Sequence, residues 1–314
     1  MSRVAVVTDS TAALTPQEAA DLGVHVVPLH VLIDGEVFSE GVDIDTDAVL
    51  ESQRRRRAVS TSRPSPAALL ALYEELAAQG AQEIVSAHLS AQLSGTCDAA
   101  QLAARDAPVP VHVVDSRSAG AGLGLAVADG VRLATQGASA AQVAAVIERR
   151  ARAATVLFYV HSLDHLRRGG RIGAAGGLLG GALAIKPLLE LVDGHIEPVE
   201  RLRTSARAVA RLTELAAEAV AAAGSDVDIA VHHADARERA ETVAQALERA
   251  AQSAESLDLA EPTEPTKPTE PTEPADWGER REPEAARVRI LDLPAVLTVH
   301  LGPGTLAVVV SPRG

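Results

Sequence analysis

Short apolar runs at residues 4–7, 84–87 and 111–114 are each followed by turn residues and then by an Ala- and Leu-rich segment with helical spacing. Strand and helix alternating in this way leave few folds open. The strands run parallel, and the crossover helices cover both faces of the sheet. Ligands of such a sheet bind just past the carboxyl ends of its strands, where loops lead into helices. The polar clusters of the first half fall there: Thr8-Asp9-Ser10-Thr11 after the first run, Ser90 to Thr96 after the second, Asp115-Ser116 after the third.

From about Thr155 the pattern changes. An apolar run at 156–160 precedes a glycine-rich segment, and runs at 188–192 and 196–199 flank Asp193-Gly194, a dipeptide suited to the positive φ of a tight hairpin. An amphipathic helix from about Thr204 to Ala223 follows, then a strand at 227–231, a helix to about Ala250, and strands around 288–291, 296–300 and 306–310. This order predicts an α+β unit with a largely antiparallel sheet. The fold class is therefore α/β in two domains, a parallel-sheet domain at 1–154 and an α+β domain at 155–314, within a chain of 314 residues. An insertion at about 257–287 interrupts the second. There Glu261-Pro262-Thr263 opens a Pro-Thr-acid repeat of period three. Proline at every third place forbids helix and central strand, and nothing apolar is available to bury, so a disordered surface linker is predicted.

The formal net charge of -13 repels phosphate backbones and argues against nucleic-acid binding. Arg54 to Arg57 are a local exception, either a solvated helix end or a docking patch for an acidic partner. One cysteine, Cys97, cannot form an internal disulfide, which favours a reducing, cytoplasmic location. The first apolar run is too short for a secretory signal, and the apolar stretch 178–192 carries Lys186-Pro187 and is too short to span a bilayer. His161/His165 and His232/His233 have no cysteine or paired carboxylates at ligand spacing, so no metal site is expected.

Two loops carry the candidate chemistry. Ser60-Thr61-Ser62-Arg63-Pro64-Ser65-Pro66 places hydroxyls in a loop opening a helix at Pro66; it is either an anion site or a helix cap that needs only Ser65. Leu89 to Thr96 repeats the pattern, with Gly95 allowing close backbone approach and a helix starting at about Thr96. No Gly-Lys-Ser/Thr triplet of a nucleotide loop occurs. His300 stands at the end of an apolar run before Gly302-Pro303-Gly304. It is a structural residue or, paired with Ser94, the base of a serine hydrolase. The segment Gln92-Leu93-Ser94-Gly95 lacks the glycine two residues before the serine of a nucleophile elbow, and no third member is marked. Arg171, in a basic glycine-rich turn, and Arg203 are surface residues or the cations of a phosphotransferase.

Taken in order, Thr8-Asp9-Ser10-Thr11, Val27-Pro28-Leu29, Thr61-Ser62-Arg63-Pro64-Ser65, Leu93-Ser94-Gly95-Thr96, Val114-Asp115-Ser116, Arg168-Gly169-Gly170-Arg171-Ile172-Gly173, Ile185-Lys186-Pro187, Arg203-Thr204 and His300-Leu301-Gly302-Pro303-Gly304 resemble the DegV family of bacterial fatty-acid-binding proteins. The resemblance covers nearly the whole chain outside the Pro-Thr-acid insertion. It implies a two-domain carrier, not an enzyme, with one long-chain fatty acid between the domains and no other cofactor. In some members a fatty-acid kinase partner makes an acyl phosphate from that ligand. Carboxylate contacts fall by resemblance on Thr61, Ser62, Ser94 and His300, with Gly95, Thr96, Arg171 and Arg203 as further head-group or partner contacts. Gln92, Cys97 and Leu301 depart from the family pattern.

Hydroxyls and helix N-termini bind a carboxylate through charge-assisted hydrogen bonds. At roughly 0.8 kcal/mol per buried methylene, a palmitoyl-length tail contributes on the order of 11 kcal/mol before ordering costs. Aliphatic walls from positions such as Leu29, Val31, Leu178, Leu179, Leu183 and Ile185 are expected.

Overall fold

The computed structural model describes residues 3–180, 185–258 and 288–313. The first half contains β1 (Val4–Asp9), α1 (Pro16–Leu22), β2 (His25–Val27), β3 (His30–Ile33), β4 (Glu36–Ser39), α2 (Thr46–Arg54), β5 (Val59–Ser62), α3 (Pro66–Ala78), β6 (Glu83–His88), α4 (Thr96–Ala104), β7 (Val111–Asp115), α5 (Ala121–Thr135) and α6 (Ala140–Ala153). The second contains β8 (Thr155–Tyr159), α7 (Asp164–Arg168), β9 (Lys186–Val192), β10 (His195–Leu202), α8 (Ser205–Ala223), β11 (Val227–His233), α9 (Arg237–Asp258), β12 (Val288–Asp292), α10 (Ala295–Leu301) and β13 (Leu306–Pro312).

The first sheet, in the order β2-β1-β6-β7, is parallel throughout. Alternation along β1 sends Val4 and Val6 into a core with α5 and α6, and Val7 into a core with Tyr73 and Leu76 of α3 and Ala99 of α4. Helix starts are set by local chemistry. Thr15 and Glu18 form a capping box ahead of α1, Ser139 and Gln142 one ahead of α6, and Ser65 caps α3 with Pro66 at its first position.

The second sheet runs β10-β9-β8-β13-β11-β12 and is antiparallel except for the β11–β12 pair. Its hairpin turns at Asp193 (φ 49°) and Gly194 (φ 83°), the positive values expected of that dipeptide. Period-two alternation again divides the faces. Leu157 and Tyr159 of β8 and Leu306, Val308 and Val310 of β13 meet α8 and α9. Val156, Phe158, Ala307 and Val309 point the other way, and there the cavity described below opens.

Three expectations are corrected. Residues 296–300, expected as a strand, lie in α10. A short apolar run does not distinguish strand from helix, and here Pro294 and Gly302 bound a single helical segment whose Val296 N–H donates to Glu40 Oε1 at 2.9 Å. His300 therefore stands in the last turn of a helix. Thr61 and Ser62 lie on β5, not in a loop, because β3 pairs with β5 and with β4 in a three-stranded antiparallel sheet that the sequence reading left unassigned. The second long helix runs on to Asp258 rather than ending near Ala250. The predicted linker lies outside the described residues apart from its first two positions, and no helix among the described residues is long and apolar enough to cross a membrane.

Candidate functional site

A cavity of about 320 Å³ lies between the loops of the first half and the face of the second sheet that is turned away from α8 and α9, within the range of small-molecule sites. Its floor crosses five neighbouring strands: Ile196 of β10, Leu191 of β9, Val156 and Phe158 of β8, Ala307 and Val309 of β13, and His232 of β11. Helix α10 covers it with Val296, Leu297, His300 and Leu301, and Leu29, Leu89, Leu93 and Leu166 close the sides. Polar groups gather where Thr61, Ser62, Arg63, Ser94, Gly95, Arg171 and His300 line the wall.

Within that polar group the Thr61 hydroxyl lies 2.8 Å from His300 Nε2, and the Ser94 hydroxyl lies 2.9 Å from that of Thr96. Gly95 is the N-cap of α4, no side chain caps it, and it lines the cavity, so α4 starts at the cavity wall. Arg63 donates to the Gly95 carbonyl at 2.9 Å. Arg171 donates through Nε to the Leu93 carbonyl at 3.0 Å and through Nη1 to that of Gly169 at 2.6 Å. Neither acceptor is a carboxylate, so the guanidinium charge is not neutralised among the described residues.

Burial, followed by Arg171 and His165, pushes the His300 pKa down to about 4. The ring is therefore neutral at pH 7, and its Nδ1 is buried without a partner. The fixed positive charge beside the hydroxyls belongs to Arg171 and Arg63, both of which donate to backbone carbonyls. Gly169 lets the ring approach: a Cβ there would sit 2.0 Å from His300 Nδ1.

The clusters that end the parallel strands hold this arrangement in place. Asp9 is wholly buried and accepts from Leu89 N at 2.9 Å, fixing the loop that leads to Ser94. Ser10 accepts from Leu29 N at 3.0 Å and donates to Glu40 Oε2 at 2.5 Å, while Glu40 Oε1 holds the start of α10. Burial raises the Glu40 pKa, against the lowering effect of these bonds. Asp9, His88 and Ser86 are linked in series at 3.1 and 2.8 Å, an order reminiscent of a catalytic triad. All three are wholly buried, and Ser86 also accepts from Tyr73 at 2.8 Å, so the chain of bonds is closed inside the sheet.

Thr61, Ser62, Ser94, His300, Gly95 and Arg171 are thus brought to one wall. Thr96 is buried behind it, as the partner of Ser94. Arg203 is exposed and does not line the cavity. Ser94 and His300 each bond elsewhere, so the nucleophile–base pair of a hydrolase is not formed. Of the expected walls, Leu29 lines the cavity, Val31 is buried in the first-half core, and Ile185 packs near Phe158. The side chains of Leu178 and Leu179, and the whole of Leu183, lie outside the described residues. Sequence reasoning missed Arg63, Phe158 and His232 as lining residues, and Val296, Leu297 and Leu301 of α10. The alternation of 156–160 could have picked out Val156 and Phe158; nothing local placed His232 in a cavity floor. The described residues hold no His, Cys, Asp and Glu group able to bind a metal ion.

Comparison with known proteins places these features in context. A family model described as uncharacterised protein, DegV family, matches residues 3–261. A DegV domain-containing protein of Streptomyces coelicolor is 42% identical over 314 residues, 100% of both chains. The solved structure of a DegV family protein from Thermus thermophilus, described by its fatty-acid binding, aligns with a TM-score of 0.81 at 29% identity over 100% of both chains. That of DegV from Bacillus subtilis, described as a fatty acid binding protein, aligns with a TM-score of 0.81 at 26% identity, again over 100% of both.

Proposed function

The chain belongs to the DegV family, and from that premise we propose that it binds one long-chain fatty acid in the cavity and presents the carboxylate to a fatty-acid kinase for acyl-phosphate formation. The observation that carries this reading is a largely apolar cavity with hydroxyls, the uncapped start of α4 and Arg171, which donates only to backbone carbonyls, on one wall. Apolar burial supplies the affinity and the polar wall sets the orientation. Thr61, Ser62 and Ser94 are the carboxylate donors in this reading, with neutral His300 beside Thr61. Residues 1–154 and 155–314 are the two domains that hold the ligand between them. Carriage of a free fatty acid to a kinase suits a cytoplasmic protein.

The floor also suggests a tail length. Five strands are separated by four gaps of roughly 4.8 Å, about 19 Å in all. An extended chain advances roughly 1.2 Å per bond, so a tail of about sixteen carbons spans a similar distance.

Titration of delipidated protein with saturated fatty acids tests the reading. Affinity is expected to rise with chain length to about sixteen carbons and then to level or fall. The Ser94→Ala variant should bind palmitate about 1–3 kcal/mol more weakly. Unchanged affinity in that variant would remove Ser94 from the site, and no uptake of any chain would refute the carrier. For the partner, loaded protein, ATP and a bacterial fatty-acid kinase should together yield an acyl phosphate trappable by hydroxylamine; no trapped product would refute the kinase step alone.

A further inference from the structure

On the far side of the wall formed by Thr61, Arg171 and His300 lies an open groove of about 790 Å³. The three residues line both spaces. Around the groove stand Arg56, Arg57, Arg168 and Arg171, and no Asp or Glu, in a chain whose formal net charge is -13. Arg57 is paired with Asp34 at 2.6 Å. Arg168 meets His165 at 3.2 Å, Arg171 donates only to carbonyls, and neither they nor Arg56 has an acidic partner among the described residues.

The backbone at Arg56 is informative. Arg57 N donates to Ser52 O and Arg56 N to Gln53 O, both at 3.0 Å, the paired bonds that close a helix in a Schellman turn. Arg56 occupies the left-handed position of that turn, at φ 56°. Glycine is the residue favoured there, and a side chain at that angle is strained. Cations at a helix C-terminus do complement the helix dipole. Arg54 and Arg55 already serve that end and are paired with acids, Asp235 and Glu51. A side chain at Arg56 is thus kept at a conformational cost, and it lines the groove.

We propose that the groove is a second anion site, for a phosphoryl group, held by Arg56, Arg168 and Arg171. A single carboxylate is satisfied by the hydroxyls and Arg171 on the cavity side of the wall. The guanidinium groups beyond it suit an anion of higher charge, and their planar forks match phosphate oxygens. Two sources share this chemistry: a free phosphate entering from solvent, and a phosphate at the head of a long alkyl chain whose tail occupies the cavity. The second source rests on the fatty-acid reading; the first does not.

Calorimetric titration of the full chain in phosphate-free buffer tests the proposal with three probes: palmitate, hexadecyl phosphate and inorganic phosphate. The variants are Arg56→Gly and Arg168→Ala, neither of which lines the cavity. Each is expected to weaken hexadecyl phosphate binding about tenfold, the equivalent of one lost charge-assisted bond, and to leave palmitate within about twofold. A matching loss for inorganic phosphate identifies a site open to free phosphate; a loss for the alkyl phosphate alone identifies the chain-borne source. Arg56→Gly should also raise the melting temperature, since glycine relieves the left-handed backbone, so weaker phosphate binding there cannot be a folding defect. Phosphate affinities unchanged in both variants, or palmitate lost in parallel, would overturn the second site. Failure of wild-type protein to bind palmitate would refute the fatty-acid reading and leave the inorganic phosphate result to decide the groove.

Discussion

His300 has one fixed contact, Thr61, and one neighbour with no side chain, Gly169. A methyl group at 169 has nowhere to go except into the imidazole. Gly169→Ala is therefore expected to displace the ring, break the Thr61 contact and destabilise the protein by about 1–3 kcal/mol, the range for overpacking a close contact. A double-mutant cycle with His300→Ala checks the cause: removing the ring should recover most of that loss, whereas additive effects would place the strain elsewhere. At this scale the hydroxyls of the site were legible because Thr61, Ser62 and Ser94 sit beside helix starts announced by proline and glycine. Arg63 was not, because nothing in a surface arginine's neighbours along the chain reveals that its guanidinium folds back onto the Gly95 carbonyl. Arg171 was legible as a cation in a glycine-rich turn, but its lack of a carboxylate partner is a fact of three dimensions.

Helix α10 shows how an element can be misread while its functional residue is found. Its apolar run satisfies both periods over so few residues, and the deciding contact, the Glu40 carboxyl on its first turn, comes from 256 positions away in sequence. The junction of β11 with α5 is equally nonlocal: His232 Nε2 accepts from Ala121 N at 3.0 Å, which requires a neutral ring. Burial pushes the His232 pKa from 6.5 to about 4. Between those values the unfolded chain binds the proton and the folded protein does not, so stability is full above pH 6.5 and falls as pH drops toward 4. A shift of this size corresponds to roughly 3 kcal/mol over the window. His300, shifted in the same direction, adds to the acid sensitivity. His232→Gln keeps an acceptor without the titration and should flatten the fall in urea-unfolding free energy between pH 6.5 and 4; an unaltered slope would show that the proton is taken up elsewhere. The alternating strands and helices, by contrast, were legible from period and turn chemistry alone, because each is decided within its own few residues.

Across the whole molecule, the two halves are joined away from the cavity by Arg150 of α6, which is 4% exposed. It pairs with Asp129 of α5 and Asp228 of β11 and donates to Ser311 of β13 at 3.1 Å. Burial opposes ionisation of Asp228, but Arg313 and Arg150 hold its carboxyl below the ordinary range. Arg150→Ala removes the shared counterion but leaves Asp129 paired with Arg132 and Asp228 with Arg313, so it should cost about 1.5–3 kcal/mol, the range for hydrogen bonds to charged groups, read by chemical denaturation; a loss below about 1 kcal/mol, typical of a surface pair, would show that the junction does not depend on it. The fold class could be read from the sequence, since it follows from strand order, and the loop that leads to Ser94 from its place after a strand; the rest of the polar wall came from the family resemblance, since Thr61 and Ser62 lie on β5 and His300 in α10. The cavity floor, the α10 cover and this clamp could not, because each joins segments that lie far apart along the chain, as with Arg150 and Ser311 at 161 positions. The most direct test of the carrier reading is native mass spectrometry of protein purified from cells, followed by extraction of its ligand. One fatty acid per chain, of about sixteen carbons, is expected to be released on denaturation. A protein that leaves the cell empty and takes up no added fatty acid would contradict that reading.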